Sequence, residues 1–283
     1  MYMRFIDLFS GMGSFHKALK GHECVMACDI DPHCQGTYEA NYGIKPQGDI
    51  TQIFDASNAD IVCAGFPCQS FSPMGKKLGM EDARGQLIFD VFRIVKLSNP
   101  NYVILENVKN VLKYPELIDA IYSEMGSLGF KVFHKILKCW EHGIPQNRER
   151  VFFVCVKQNL PDYIFPEPLE SSPNLSQFFG KDFKKDRIRT IRTVGYYSKI
   201  DDCHNWSHYE LADGTVYRLT EDDCKLSQGF PIDFVLRGNK GQRFRQIGNT
   251  IPTNLSSAIV NNLHLEVEEK QQTAETSQYL YLF

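Results

Sequence analysis

The sequence has no uninterrupted apolar run near the roughly 20 residues that span a bilayer, and its start, Met1-Tyr-Met-Arg, lacks a signal-peptide succession. Both absences predict a cytoplasmic protein with no membrane partner. The nine cysteines are odd in number, scattered and never spaced Cys-x-x-Cys, which argues against a disulfide framework and against a metal site. Cys24, Cys28 and Cys34, set closest together, read as core residues. Internal repeats and low-complexity tracts are missing. So is any overall basic excess, the formal charge being -3, so the chain is not basic throughout. Averages hide local fields, however. From Gly180 to Lys199 seven basic residues (Lys181, Lys184, Lys185, Arg187, Arg189, Arg192, Lys199) face two acids (Asp182, Asp186). Such a strip predicts one anionic partner docked at one place.

What the chain does have is an ordinary globular composition, 43% hydrophobic and 23% charged, and an alternation of short apolar runs with helix-length segments. That order is the mark of an α/β fold with a mostly parallel sheet covered by helices. Strands are expected at 4–9, 23–28, 60–65, 101–105, 130–137 and 151–156. A further short one before Asp49 would make 60–65 the fourth. Helices are expected at about 13–20, 31–41, 86–97, 116–128, 220–227 and 252–264. The pattern breaks between about 158 and 217, where prolines at 161, 166, 168 and 173 punctuate a polar stretch. Residues 1–175 and 246–265 are therefore read as one domain, 176–245 as a small irregular lobe, and 266–283 as a polar tail without an apolar face.

Parallel sheets bind ligands at the carboxyl ends of their strands. The first strand runs into Phe9-Ser10-Gly11-Met12-Gly13, a glycine turn opening a helix, and the second ends in Asp29-Ile30. Glycines admit a ligand to the backbone, and a carboxylate there accepts hydrogen bonds from ribose hydroxyls. Gly-x-Gly occurs at NAD sites and methyl-donor sites alike. The third glycine of the dinucleotide pattern is absent, His16 standing in its place, so a nucleoside ligand without a pyrophosphate is favoured. Asp49-Ile50 would clasp its adenine.

Cys68 follows the next strand in "AGFPCQSFSPMG". Pro67 fixes the backbone before it, and Gly75, Gly79 and Gly85 suit a lid. Free cysteines are usually buried, so a thiol at a turn suggests a nucleophile. No motif places a histidine base beside it, as a cysteine hydrolase needs. Glu106-Asn107 ends the next strand and offers a carboxyl, and "QNRER" brings Arg148 and Arg150.

The stretches "FIDLFSGMGSF", "CDID", "GDI", "GFPCQSFS", "GMEDARGQLIFDV", "ENVKN", "GIPQNRERVFFV", "YRLTEDDCKLSQGFP" and "RQIGNTIPTNL" together resemble the DNA (cytosine-5)-methyltransferases of restriction-modification systems, in the family's order. The resemblance implies a Rossmann-like methyltransferase domain with a target-recognition lobe, S-adenosyl-L-methionine as cofactor and double-stranded DNA as substrate. A cognate restriction endonuclease acting on the same site is a further implied partner. Cys68 would add to C6 of a flipped-out cytosine while Glu106 engages N3 and the exocyclic amine. Arg150 would hold O2, and Arg148 the phosphate or loop beside it. Flipping is needed because C6 is stacked out of reach in a duplex. On the cofactor side, Phe9 would lie against the adenine or sulfonium and Asp29 would hold the ribose. Ser10, Gly11, Met12, Gly13, Ile30, Asp49 and Ile50 would line the site, with Pro67, Leu87 and Asn249 closing it.

Gln69, Ser72, Lys76 and Arg84 in the loop after Cys68, and Thr190, Arg192, Tyr196 and Lys199 in the lobe, would contact DNA. His204 and Asn205 are further candidates for base edges. Lys181, Lys184, Lys185 and Arg187 would neutralise phosphates. Departures from the family pattern are Ser14 for a glycine, Asp29 for a glutamate, Met74 for a loop serine, Asp223 for a glutamate and Tyr217 for an arginine. A transfer-RNA methyltransferase, an inactive DNA-binding regulator and a dehydrogenase are the rival readings.

Overall fold

The computed structural model describes residues 2–67 and 86–263. The apolar runs become strands of one sheet, and in β1, β3, β4 and β7 most residues are buried on one face or the other. These strands are β1 (Arg4–Leu8), β2 (Glu23–Cys28), β3 (Ile61–Gly65), β4 (Tyr102–Val108), β5 (Phe130–Lys138) and, after the two-residue β6 (Gln146–Asn147), β7 (Glu149–Lys157). Their order is β2-β1-β3-β4-β7-β5. The first four are parallel, and β7 lies antiparallel between β4 and β5.

Successive residues enter opposite cores, as a period of two requires. Ile6, Val62, Val103 and Leu105 pack into one apolar cluster, and Phe5, Ile61, Cys63 and Ile104 into the other. Helices α3 (Leu87–Ser98) and α4 (Pro115–Ser127) cover the first face. The second is covered by α1 (Ser14–Ala18) and α8 (Thr253–Asn261). Helix α2 (Pro32–Tyr42) starts at Asp31, whose side chain accepts from His33 N–H, and stops at Gly43 in the left-handed region.

Two expectations are corrected here. No strand lies between β2 and Asp49 among the described residues: Gln47 makes an isolated bridge to Cys28, so 61–65 is the third strand. A helix absent from the expected set, α7 (Lys240–Asn249), is present. Its sequence KGQRFRQIGN hides an inner face that is partly polar, because buried Gln246 accepts from Thr37 Oγ1 at 2.6 Å and donates to Arg237 O at 2.7 Å.

The segment from 175 onward contains α5 (Leu175–Phe179), β8 (Ile188–Arg189), β9 (His208–Glu210), β10 (Val216–Arg218) and α6 (Glu221–Leu226). Its apolar residues form a third cluster around Trp206, Tyr209, Leu219, Phe230 and Phe244, to which Met12 also belongs. No helix among the described residues is long and apolar enough to cross a membrane.

Candidate active site

From β1 the chain moves to β2 on one side and returns to β3 on the other, which opens a crevice at the carboxyl ends of β1 and β3. A cavity of about 360 Å³ lies there. It is lined by Asp7, Phe9, Ser10, Gly11, Asp29, Ile30, Pro67, Glu106, Arg150 and Asn249, among others. Phe9 stands at φ 53, a left-handed conformation that costs a bulky residue on the order of 1–3 kcal/mol and marks functional sites. Asp29 is held in place by two backbone donors, Gly11 N–H at 2.8 Å and Asp31 N–H at 2.9 Å. Burial raises its carboxyl pKa, and these two bonds oppose the rise. Ser10 Oγ is buried and has no hydrogen-bond partner among the described residues. An orphaned hydroxyl beside a two-point-anchored carboxylate suits a ligand rich in hydroxyl and amino groups.

Glu106 sits at the floor. It pairs with Gly65 across β3 and β4, and a Cβ at Gly65 would stand 3.5 Å from Glu106 Oε2 and 3.1 Å from Ile251. The glycine therefore leaves room for the carboxyl. Arg150 lies two residues before Phe152, the cross-strand partner of Glu106, and so projects from the same face of the sheet. Its Nε meets Glu106 Oε1 at 2.8 Å, with both side chains largely buried. Burial raises the Glu106 pKa, while the charges of Arg150 and Arg148 pull it back. Asn107 donates to Phe66 O at 3.1 Å, which ties the chain leaving β3 to the residue after Glu106. A carboxyl that holds its proton to higher pH than an exposed one, beside a guanidinium, is suited to acid catalysis on a polar ring.

Behind the crevice Asp7 is fully buried and accepts from Tyr38 O–H at 3.3 Å. That hydroxyl also meets His16 Nδ1 at 2.7 Å. His16, in the place of the missing third glycine, stacks on Tyr42 at 4.0 Å, and burial pushes its pKa down to about 4. Burial, with the nearby Asp29 charge, holds the Asp7 pKa well above the usual carboxylate range. A carboxyl whose folded pKa is raised gives stability that is complete below its unfolded value of about 3.9 and is lost as pH rises through the folded value. Asp7→Asn is thus expected to raise Tm at pH 8 relative to wild type, with the gap closing toward about pH 4. A gap that does not change with pH in thermal melts would contradict the raised pKa.

Other predicted site residues fall elsewhere. Met12 belongs to the third core and Ile50 to the first. Asp49 caps a short helical turn by accepting from Thr51 N–H. Gly13 packs against Tyr42, a Cβ there falling 2.3 Å from its ring, and Leu87 packs against the first cluster. None of these five side chains lines the crevice. Cys68, Gln69, Ser72, Lys76 and Arg84 lie outside the described residues. Of the two alternatives for Arg148, the phosphate or the loop beside it, the structure shows loop contacts. Arg148 is 1% exposed, and its guanidinium donates to Ile191 O at 2.9 Å, Gly248 O at 3.0 Å and Thr250 O at 2.7 Å.

The basic strip does not form one face. Lys181 lies over the Tyr217 ring, Lys184 pairs with Glu210, and Arg187 lies over Trp140. Tyr217 and Arg218 project from opposite sides of β10. On the Arg218 side the guanidinium stacks on Tyr196 at 4.1 Å and on exposed Tyr197 at 4.6 Å, and Lys240 of α7 approaches both rings. Sequence reasoning missed Arg218 and Lys240 as binding candidates, because only folding brings residues 196, 218 and 240 together. Tyr196 itself is committed inward, donating to Leu219 O at 2.9 Å and packing on Phe244. Thr190 donates to Asn147 O, and Arg192 to His204 O. His204 Nδ1 is 3.1 Å from Asp202 Oδ1, Asn205 is buried, and Lys199 is exposed.

Comparison with known proteins accords with this geometry. Residues 3–204 and 183–264 match the family described as C-5 cytosine-specific DNA methylase. The chain is 32% identical to the Type II methyltransferase M.HhaI of Haemophilus parahaemolyticus, over 92% of this chain and 94% of that one. It is 35% identical to M.BsuFI of Bacillus subtilis, over 91% and 71%. In fold it is similar to the crystal structure of S. pombe Dnmt2 methyltransferase, with a TM-score of 0.70 and 19% identity, covering 91% of this chain and 97% of that one. The two-faced sheet and switch-point crevice are the Rossmann-like arrangement expected of such enzymes, and the chain belongs to the C-5 cytosine-specific DNA methylase family.

Proposed function

We propose that the protein transfers a methyl group from S-adenosylmethionine to C5 of a flipped-out cytosine in a short duplex DNA sequence. The observation that carries this reading is the buried Glu106–Arg150 pair on the floor of a nucleoside-sized crevice. S-adenosylmethionine, when bound between Phe9 and Asp29 with Ser10 Oγ as a further contact, supplies the methyl group. The chain's own groups prepare the ring. Glu106 delivers a proton to N3 as the Cys68 thiolate forms a bond to C6, and Arg150 orients the base at O2. Electron density returned to C5 makes that carbon the methyl acceptor. A water or hydroxide in the crevice then takes the C5 proton, the C5–C6 double bond re-forms as the C6–S bond breaks and the thiolate leaves, and N3 returns its proton to Glu106.

Residues 176–245 are read as the recognition lobe, and α7 packs with them through Phe244 and Ile247. Incorporation of labelled methyl groups into duplex DNA, with transfer RNA measured alongside, tests the assignment. Labelling of transfer RNA alone would move the substrate to RNA, and labelling of neither would favour a DNA-binding regulator.

The face of β10 that carries Arg218, Tyr197 and Lys240 is the better candidate for DNA than the Lys181 side. Arg218→Ala and Lys240→Ala should each lower the salt slope of DNA binding by about one unit, and Lys184→Ala should leave it unchanged. Binding titrations across a salt series check this. The reverse pattern would return the contact to the strip.

A further inference from the structure

Three segments that are far apart in sequence meet at one buried point. Gln146 is fully buried and accepts from Ile191 N–H at 3.1 Å through Oε1, while its amide donates to Ser227 O at 2.7 Å. Arg148, two residues on, takes the carbonyl of the same Ile191. Both backbone polar groups of one residue are thus gripped from the β6 edge, which also pairs in parallel with β8. Immediately beyond Ile191 the chain crosses the end of α7 so closely that a Cβ at Gly248 would stand 2.7 Å from Arg192 C and Thr193 N. Two further Arg148 bonds go to Gly248 O and Thr250 O. Gly248, Asn249 and Thr250 line the cofactor crevice.

We propose that Gln146, Arg148 and Gly248 form a clamp that sets the lobe segment beginning at Ile191 in register with the wall of the catalytic crevice, making Arg148 a positioning residue for sequence discrimination. The guanidinium fork is suited to this because its two outer nitrogens reach carbonyls on different segments at once. Buried at 1% exposure, Arg148 acts through Ile191 and the crevice wall. A clamp that loosens lets the lobe and the crevice address a duplex separately, so a cytosine can be methylated without its neighbours having been read. The inference rests on the reading that residues from Arg192 onward face DNA.

The test compares wild type with Arg148→Lys, which keeps the charge but loses the fork, and Gly248→Ala, which crowds residues 192 and 193 while keeping the Arg148 guanidinium. Tyr163→Phe serves as the structural control, removing a buried hydroxyl bond to Ile259 O remote from the clamp. Plasmid DNA is methylated by each protein and read by bisulfite sequencing, and the methylation ratio inside and outside the wild-type motif is scored. The ratio should fall roughly tenfold or more in both clamp variants, the scale of one lost charge-assisted hydrogen bond, whereas Tyr163→Phe should lower Tm and leave the ratio alone. If Arg148→Lys does not fold, Gly248→Ala decides the matter. An unchanged ratio in the clamp variants, with activity falling in step with Tm, overturns the proposal. Arg192→Ala, measured beside them, separates the two readings. If it lowers the ratio and the clamp variants do not, the clamp falls and the DNA-facing segment stands. If the clamp variants lower it and Arg192→Ala does not, the clamp stands and the role of Arg192 falls.

Discussion

Cys68→Ser is expected to abolish methyl transfer to DNA while cofactor and DNA binding persist. In the proposed mechanism the thiolate is the attacking species, and a serine hydroxyl is far less ionised at neutral pH and has no histidine base supplied by the surrounding motif. The folded scaffold serves this step through neighbouring residues. Gly65 pairs with Glu106, and Asn107 holds Phe66 O, so the chain as far as Pro67 is delivered to the crevice that holds the acid. Labelled methyl incorporation reads the activity, and a duplex shift assay reads the binding. Turnover near the wild-type rate would remove Cys68 from the mechanism.

Glu106→Gln should slow the methyl-transfer step by roughly 10²–10⁴. Glutamine keeps the shape and can still accept a hydrogen bond, but it has no proton to deliver to N3. Because burial raises the Glu106 pKa above that of an ordinary carboxyl, the protonated form persists to higher pH than it would in water. Wild-type single-turnover rates should therefore decline as pH rises through that raised value, a limb that the Gln variant lacks. The loss of Arg150's partner adds a second effect, since the guanidinium would remain largely buried without a countercharge. An unchanged rate would mean that another group activates the ring.

Much of the sheet was legible because β1, β3, β4 and β7 are largely buried and read as apolar runs; β1 to β4 fall within a residue or so of the expected ranges, apart from the longer end of β4. An apolar run carries no direction, however, so the antiparallel setting of β7 emerged only in three dimensions. Helix α7 was missed because buried Gln246 and Gly248 break its apolar stripe, the first being satisfied by Thr37 and Arg237, and the second admitting the backbone of residues 192 and 193. At the site, Asp29 and Glu106 could be located from strand ends alone. Spacing alone does not tell Arg148 from Arg150 in "QNRER"; only the family resemblance gave them separate roles. One turns to Ile191, Gly248 and Thr250, and the other to Glu106, a division set by tertiary neighbours. The neighbours of the basic strip were illegible for a related reason: residues contiguous in sequence meet different elements, Lys181 and Lys184 lying against Tyr217 and Glu210 of the β9–β10 hairpin and Arg187 against Trp140.

Bisulfite sequencing of plasmid DNA incubated with the protein and S-adenosylmethionine tests the central claim most directly, because protection from conversion reports both the modified atom's base and its sequence context. The account predicts protected cytosines confined to one short motif, with no protection when Cys68→Ser replaces wild type. Complete conversion of every cytosine under conditions where the wild-type protein is folded and binds DNA would contradict it.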